Sequence, residues 1–353
     1  MVWVALIWLP LFLLSWMNGT AWGNRVRIPF IHDYSVYCRF LIALPLLIAA
    51  EAVIDPFIRR AVSTFNTSGI IRKGDLPAYH AALERIVRWR DSSLVELLLV
   101  AAAAVPYVLL FAKYQWASSQ VSAWHGTTSQ GLRPAGWWFI LVASPVLRFL
   151  MLRWLWRYSL WIGLLRKVAG LKLYLLPTHP DRLGGLGFLL YTQQQFAILA
   201  AGVGSVVAGQ FANEIVYFGE TLEGVRAPAG VFIVISVLII LLPLTLFSPQ
   251  LFQLRHDGLV RYSVVAMGLT GRFDDKWVEE PESPPQELIG NQDPSSLIDY
   301  ISSYDVIRQA QVVPIDKRSL VYIVSLSAAP FILVWLLATP LDKWVGEILK
   351  KLL

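Results

Sequence analysis

Apolar segments of nearly twenty residues constrain this chain more than any other feature. A helix needs about 20 mostly apolar residues to cross a bilayer. Seven stretches approach that length: 3–17, 36–54, 94–113, 136–160, 195–217, 229–248 and 319–339. The first is short and contains Pro10. The sequence therefore predicts an all-α, polytopic transmembrane helical bundle of about seven spans.

Composition agrees with a membrane protein. Of 353 residues, 56% are hydrophobic and only 15% are charged, whereas soluble domains carry about a quarter charged residues. The single cysteine, Cys38, excludes an internal disulfide and a Cys-rich metal or iron–sulfur site. Basic residues in membrane proteins collect in cytoplasmic loops and beside anionic lipid, so we assign the net charge of +6 to the bilayer rather than to nucleic acid.

Basic residues alternate between the predicted loops. Segments 55–93, 161–194 and 249–318 are rich in Lys and Arg, and the loops between them are poor. The positive-inside rule then places the N-terminus in the cytoplasm and the C-terminus in the periplasm if all seven spans cross. If the first segment lies in the interface instead, the N-terminus moves outside and the other spans keep their orientation.

The N-terminal run "MVWVALIWLPLFLLSW" has no leading basic segment, and Asn18-Gly19-Thr20 is a poor cleavage site. It predicts an uncleaved helix rather than a signal peptide. A natural start upstream of Met1 stays open.

The cytoplasmic segments are predicted to be partly helical. Amphipathic patterns indicate helices at 76–93, 250–272 and 295–311, with an acidic, proline-rich loop before the last. The stripe on 295–311 is either a packing face or a groove that binds a cytoplasmic protein partner. The tail 340–353, "PLDKWVGEILKKLL", predicts an amphipathic helix lying in the membrane interface.

Two features concern helix packing. Pro45, Pro106, Pro243 and Pro330 fall inside spans and predict kinks whose freed carbonyls are satisfied by neighbouring helices. Small residues at four-residue spacing let a neighbouring backbone approach one face of span five. This row serves either packing within the chain or contact between copies in a homo-oligomer; its members are Ala200, Gly204 and Ala208.

Charges inside span four are the main functional lead. The run "SPVLRFLMLRWLWRYSLW" carries Arg148, Arg153 and Arg157. An arginine at mid-bilayer costs about 3 kcal/mol on insertion scales, so it needs a partner, water or a route to the surface. At about 1.5 Å per residue, Arg148 lies near the middle of the bilayer and Arg157 near its inner surface.

Two acidic residues match the depth of the inner arginines. Glu51 and Glu96 lie toward the inner ends of spans two and three, so we expect one of them to pair with Arg153 or Arg157. Arg148 is left for a carbonyl freed by a kink, for water or for an anion. The network either holds the helices in register or forms an anion or proton pathway.

The run "LLPTHPDRLGGLGFL" is the densest cluster of special residues. Its "HPDR" is shared with the J-domain co-chaperones, but the surrounding apolar stretches are not. Its glycines fit neither GxGxxG nor GxxxxGK[ST], so phosphate binding lacks a motif, and no His repeats at metal-ligand spacing. We expect Pro177 to end the extension of span four and Thr178 or Asp181 to cap the segment after it. A gate, ligand site or oligomer contact stays open; its residues are His179, Asp181, Arg182, Gly184, Gly185 and Gly187.

That run resembles a group of bacterial multipass membrane proteins of unknown function, as do "IPFIHDYSVYCRFLIALPLLIAAE" and "SYDVIRQAQVVPIDKRSL". The resemblance covers nearly the whole chain and implies a bacterial inner-membrane location. It implies no activity, and the abrupt start at Met1 departs from the longer N-termini of the group.

The sequence predicts a channel- or transporter-like role for a small ion or solute, based on the intramembrane charges and kinked helices. The alternative is a non-transporting scaffold or sensor that binds a partner through its cytoplasmic helices. A membrane-embedded enzyme ranks third because no catalytic constellation is evident, and no cofactor is expected.

Overall fold

The computed structural model describes residues 2–114, 122–127, 131–279 and 291–338. Within these ranges the chain is nearly all helical, with one short antiparallel hairpin formed by β1 (Gly126–Thr127) and β2 (Gly131–Leu132). The helices are α1 (Val2–Met17), α2 (Tyr34–Thr67), α3 (Leu76–Arg90), α4 (Ser93–Tyr114), α5 (Pro134–Ala169), α6 (Gly187–Phe218), α7 (Leu222–Glu279), α8 (Gln292–Arg308) and α9 (Lys317–Ala338). The predicted interfacial helix 340–353 and most of the acidic proline-rich loop lie outside the described residues.

Five of these helices, α2, α5, α6, α7 and α9, are long and apolar enough to cross a membrane. Two shorter apolar stretches, Val4–Met17 in α1 and Ser93–Val105 in α4, accompany them. Helix α7 covers 58 residues, or about 87 Å at 1.5 Å per residue. Because a bilayer core is only about 30 Å thick, a large part of α7 must extend beyond any membrane that it crosses.

The loops gather at two opposite ends of the helix bundle. At the end that carries the hairpin, which we call the hairpin end, Ile28 N–H donates to the Ser122 carbonyl at 3.2 Å. At the other, the Pro/Gly end, Tyr174 N–H donates to the Ile70 carbonyl at 2.7 Å. The Gln250 side chain also donates there to the Ala169 carbonyl at 2.7 Å. The three basic segments of the sequence therefore meet at one end of the molecule.

Helix irregularities coincide with prolines. A π-helical segment, Cys38–Ala43, precedes Pro45, and a second, Phe139–Ala143, precedes Pro145. Helix α7 tightens into a 3₁₀ segment at Leu242–Phe247, which includes Pro243. Such departures from regular hydrogen bonding are the expected causes of bends in long helices.

Two helices extend past their predicted ends. Helix α2 continues beyond residue 54 through Pro56 to Thr67, and α5 continues to Ala169. The expectation that Pro177 ends the extension of span four was wrong, because the helix already stops at Gly170, whose N–H bonds back to the Arg166 carbonyl.

The helices expected in the basic segments are present. Helix α3 covers most of 76–93, and the second half of α7 covers 250–272. The stripe on α8 packs against α7: Ile307 is fully buried, and the Tyr300 hydroxyl donates to the Tyr262 carbonyl. Ile301 of the same stripe is exposed.

The small-residue row of α6 is buried inside the chain. A Cβ added at Gly204 would lie 3.0 Å from Phe232 and 3.3 Å from Pro330. Ala200 and Ala208 are also buried. The row therefore allows α7 and α9 to approach α6 closely within one molecule.

Candidate functional site

A half-open cavity of about 420 Å³ lies near mid-length of α2 and α5, between these helices and the turn that joins α3 to α4. We call it the charged cavity. Its walls carry four carboxylates and three guanidinium groups: Glu51, Asp55, Asp91, Glu96, Arg90, Arg153 and Arg157. Its volume is within the range of small-ligand sites. Within the described ranges, no three His, Cys, Asp or Glu side chains are placed to hold a metal ion together.

Arg157 is the anchor of the charged cavity. Its side chain is only 14% exposed, and its Nη1 lies 3.2 Å from Glu51 Oε1. Its Nη2 donates to Asp55 Oδ1, and the guanidinium lies 4.6 Å above the centre of the Trp154 ring. Two carboxylates and an aromatic face thus compensate the charge of this largely buried guanidinium.

Asp55 was missed by the sequence reasoning, which took residue 55 as the start of a loop. Because α2 continues, Asp55 lies one turn beyond Glu51 on the same helix face. Arg153 and Arg157 have the same four-residue spacing on α5. The matched spacing on two apolar helices was the signal that could have identified the site.

The predicted pairing of the inner arginines with Glu51 is present. Arg153 Nη2 lies 3.8 Å from Glu51 Oε1, which is close to the limit for an ion pair, and the Arg153 side chain is 41% exposed. Glu96 lines the same cavity, but no described cation lies within 4.0 Å of its carboxylate. Arg153 and Glu96 are therefore the charges of the cavity with most capacity for a ligand.

Arg148 lies outside the charged cavity. Its Nη1 donates to the Ala103 carbonyl of α4 at 3.1 Å. A backbone carbonyl was one of its three predicted ligands. The carbonyl that Pro106 leaves without its helical donor is that of the neighbouring residue, Ala102, so the arginine binds next to the weakened point of α4.

Arg90 and Asp91 form the edge of the charged cavity at the turn between α3 and α4. Arg90 Nε lies 2.7 Å from Asp91 Oδ1. This hydrogen bond holds the pKa of the Asp91 carboxyl below its usual value and raises the pKa of Arg90. Both groups are therefore charged at neutral pH.

Asp181 organises the Pro/Gly loop, 175–189. Its carboxylate accepts hydrogen bonds from the backbone N–H groups of Leu183, Gly185 and Gly187 at 2.8–3.1 Å. His179 Nδ1 lies 2.8 Å from the same carboxylate. The glycine N–H groups that a phosphate would use are thus occupied by a side chain of the loop itself, as expected if Asp181 acts as a cap.

Backbone conformation and close packing explain the unusual residues of this loop. Arg182, Gly184 and Gly185 have positive φ angles of 58°, 64° and 102°. A Cβ added at Gly184 would lie 2.6 Å from Leu254 of α7. The Arg182 carbonyl accepts a hydrogen bond from Gln311 N–H at 2.9 Å, although the residue is exposed. The loop is tied to its neighbours and lies outside the charged cavity.

A buried hydrogen-bond network joins α5, α6 and α7 on the Pro/Gly side of the charged cavity. Gln193, fully buried, accepts from Trp161 Nε1 at 2.9 Å and donates to the Tyr158 hydroxyl at 2.8 Å. Tyr158 in turn donates to the Ile239 carbonyl at 2.7 Å, which is the carbonyl that Pro243 deprives of its helical donor. Sequence reasoning predicted that neighbouring helices would satisfy such carbonyls, but not which side chains.

A second polar cavity, of about 320 Å³, lies at the hairpin end. Arg39, Gln210 and Glu214 are among its lining residues. Beside them, buried Asp33 accepts hydrogen bonds from Trp124 Nε1 and Asn213 Nδ2, both at 2.7 Å. We call this second polar cavity the hairpin-end cavity. Sequence reasoning also missed this polar cluster, because Trp124 and Asn213 lie 91 and 180 residues from Asp33 in the sequence.

Comparison with protein-family models, curated proteins and solved structures finds no significant match to this chain. Function is therefore inferred from the geometry alone.

Proposed function

We propose that this chain is a bacterial inner-membrane protein with a channel- or transporter-like role, and that a small ion or solute binds in the charged cavity. In this proposal α1 and α4 cross the membrane together with the five longer helices. The Pro/Gly end faces the cytoplasm, the N-terminus is cytoplasmic and the C-terminus is periplasmic. The gathering of the basic segments at that end supports this orientation.

The charged cavity carries the proposal. Seven charged side chains surround a space of about 420 Å³ between apolar helices, where each charge is costly unless it is paired or hydrated. The ion pairs of Arg157 with Glu51 and Asp55 would be enough to fix the position of α5 against α2. Arg153, with its long contact, and Glu96, without a described cation nearby, are more than that role requires.

The positions of the two polar cavities agree with transport. The charged cavity lies near mid-length of α2 and α5, between the level of the hairpin-end cavity and that of the layer around Gln193. Transporters hold their substrate near the middle of the membrane and open its two sides in turn. The proline-associated π and 3₁₀ segments of α2, α5 and α7 interrupt regular helical hydrogen bonding, so we expect hinges there.

Uptake into proteoliposomes tests the proposal. The probes are radiolabelled Rb⁺, Cl⁻ and phosphoethanolamine, which represent a cation, an anion and a solute that carries both an anionic phosphate and a cationic ammonium. We expect the wild-type chain to take up at least one of them above protein-free liposomes. Arg153→Gln and Glu96→Gln should each reduce that uptake about tenfold, equivalent to about 1.4 kcal/mol, because each removes a charge that would bind the substrate.

Arg166→Gln is the matched control, because Arg166 is exposed on the same helix as Arg153 and lies outside the charged cavity. It should transport as the wild type does. Equal loss in all three variants, or no uptake of any probe by folded wild-type protein, would contradict a transport role.

A scaffold or sensor is the second candidate. Apolar side chains remain exposed on the part of α7 beyond the 3₁₀ segment and on α8, including Val264, Met267 and Ile298. Such a surface is typical of a protein contact. This candidate predicts no uptake and a cytoplasmic protein that crosslinks to a photoreactive residue at position 267 but not at exposed Glu220.

A further inference from the structure

A second cavity adjoins the charged cavity beneath α3. It has a volume of about 320 Å³ and lies between α2, α3 and α5. Most of its lining is apolar, including Val62, Leu83, Leu160 and Trp161. We call it the apolar cavity. The apolar face of α3 therefore covers α2 and α5 without filling the space between them.

The two cavities share part of their walls. Asp55, Arg90 and Arg157 line both, so a polar partition one side chain thick separates a charged space from an apolar one. Two adjoining spaces of opposite character are the shape complement of an amphiphile, with a headgroup on one side and a hydrocarbon chain on the other.

The charges define the headgroup. Arg157 is satisfied by Glu51 and Asp55, and Arg90 is paired with Asp91. Of the remaining two charges, Arg153 suits an anionic group and Glu96 suits a cationic one. A headgroup that carries both signs, such as a phosphate and a primary ammonium, gives Arg153 and Glu96 each a partner of opposite charge.

We infer that the ligand of the charged cavity is a zwitterionic amphiphile whose phosphate binds Arg153, whose ammonium binds Glu96 and whose hydrocarbon chain fills the apolar cavity. This inference rests on the proposed function, since it concerns the same site. Such a ligand differs from a soluble solute, such as the free headgroup, because its hydrocarbon chain is needed for binding.

Native mass spectrometry of the purified full-length chain tests it with three probes. Lysophosphatidylethanolamine has both features, lysophosphatidylglycerol has the chain and an anionic headgroup, and phosphoethanolamine has the headgroup alone. We expect lysophosphatidylethanolamine to bind at least about tenfold more tightly than phosphoethanolamine, a factor that burial of roughly two methylene groups supplies. It should also bind more tightly than lysophosphatidylglycerol.

Two variants separate the parts of the site. Val87 lines the apolar cavity, and Val87→Trp places a bulky ring there. This variant should bind lysophosphatidylethanolamine no more tightly than phosphoethanolamine, while its binding of phosphoethanolamine stays unchanged. Glu96→Gln should abolish the preference for the zwitterion over the anion. Val234→Trp is the control for the larger ring, because Val234 is exposed on α7, away from both cavities.

Other outcomes overturn the inference. Equal binding of phosphoethanolamine and lysophosphatidylethanolamine makes the ligand a soluble solute and leaves the proposed function standing. If the wild type and Glu96→Gln each bind the two lysolipids equally well, the site does not select a zwitterionic headgroup. Binding of no probe rejects the inference outright, and uptake of Rb⁺ or Cl⁻ then decides separately whether the chain transports.

Discussion

The Arg157 side chain is only 14% exposed and contacts Glu51, Asp55 and the Trp154 ring. We therefore expect its replacement to lower the free energy of unfolding. Arg157→Gln leaves Glu51 and Asp55 facing each other without their shared cation. Breaking a fully buried pair costs about 3–5 kcal/mol, and less is expected here because Glu51 is half exposed. Thermal unfolding in detergent should show a clear fall in the midpoint. Arg166→Gln should unfold as wild type does, and equal effects of the two changes would contradict this role.

Asp181 gives a second prediction at the scale of single residues. Asp181→Ala removes the acceptor of three loop N–H groups, at a cost of about 1–3 kcal/mol for each group that finds no water. The loop should open locally, and trypsin should cleave after exposed Arg182 faster than in the wild type. Asp181→Asn keeps one oxygen and should give an intermediate rate. Unchanged cleavage in the alanine variant would show that the carboxylate does not hold the loop.

Single residues also show where sequence reasoning succeeded. Arg153, Arg157 and Glu51 were identifiable because charges in apolar runs are rare, and depth along a helix follows from residue count. Asp55 was lost when a helix was ended too early at a charged residue. The pairing of Asp33 with Asn213 could not be predicted, because it depends on how distant helices meet.

At the scale of helices, Pro243 and Tyr158 form one unit. Pro243 deprives the Ile239 carbonyl of its helical donor, and the Tyr158 hydroxyl replaces it. Tyr158→Phe alone should destabilise the protein by about 1–3 kcal/mol, the cost of an unsatisfied buried carbonyl. In a Pro243→Ala background the new N–H can satisfy that carbonyl, so the same change should cost less.

A double-mutant cycle measured by unfolding in detergent gives the coupling directly. Additive effects of Tyr158→Phe and Pro243→Ala would mean that the tyrosine does not compensate for the proline. Of the four prolines predicted to kink spans, Pro45 and Pro243 adjoin irregular segments, whereas Pro106 and Pro330 lie within uninterrupted α-helix. The side chains that compensate come from other helices and were beyond local reasoning.

At the scale of the whole molecule, the proposed orientation predicts which ends are accessible from each side of the membrane. In a Cys38→Ala background, Glu220→Cys at the hairpin end should react with a membrane-impermeant thiol reagent added to intact cells. Lys172→Cys at the Pro/Gly end should react only in inverted vesicles. Both side chains are exposed. The reverse pattern would invert the topology.

The overall class was accessible from sequence because apolar length and charge distribution depend on the bilayer rather than on details of packing. The cavities could not be predicted from the sequence, since they are spaces between helices whose separation depends on contacts such as that of Gly204 with Phe232.

The central claim concerns one such space, namely that the charged cavity holds water and admits a charged solute.

The reaction rate of a thiol placed in the charged cavity tests that claim most directly. Glu96→Cys, treated with a water-soluble methanethiosulfonate from the Pro/Gly side, should react within about tenfold of Lys172→Cys in the same background. Buried Cys38 in the wild-type chain supplies the slow reference. A thiol at position 96 that reacts as slowly as Cys38 would mean a dry, closed interior and would contradict a transport site.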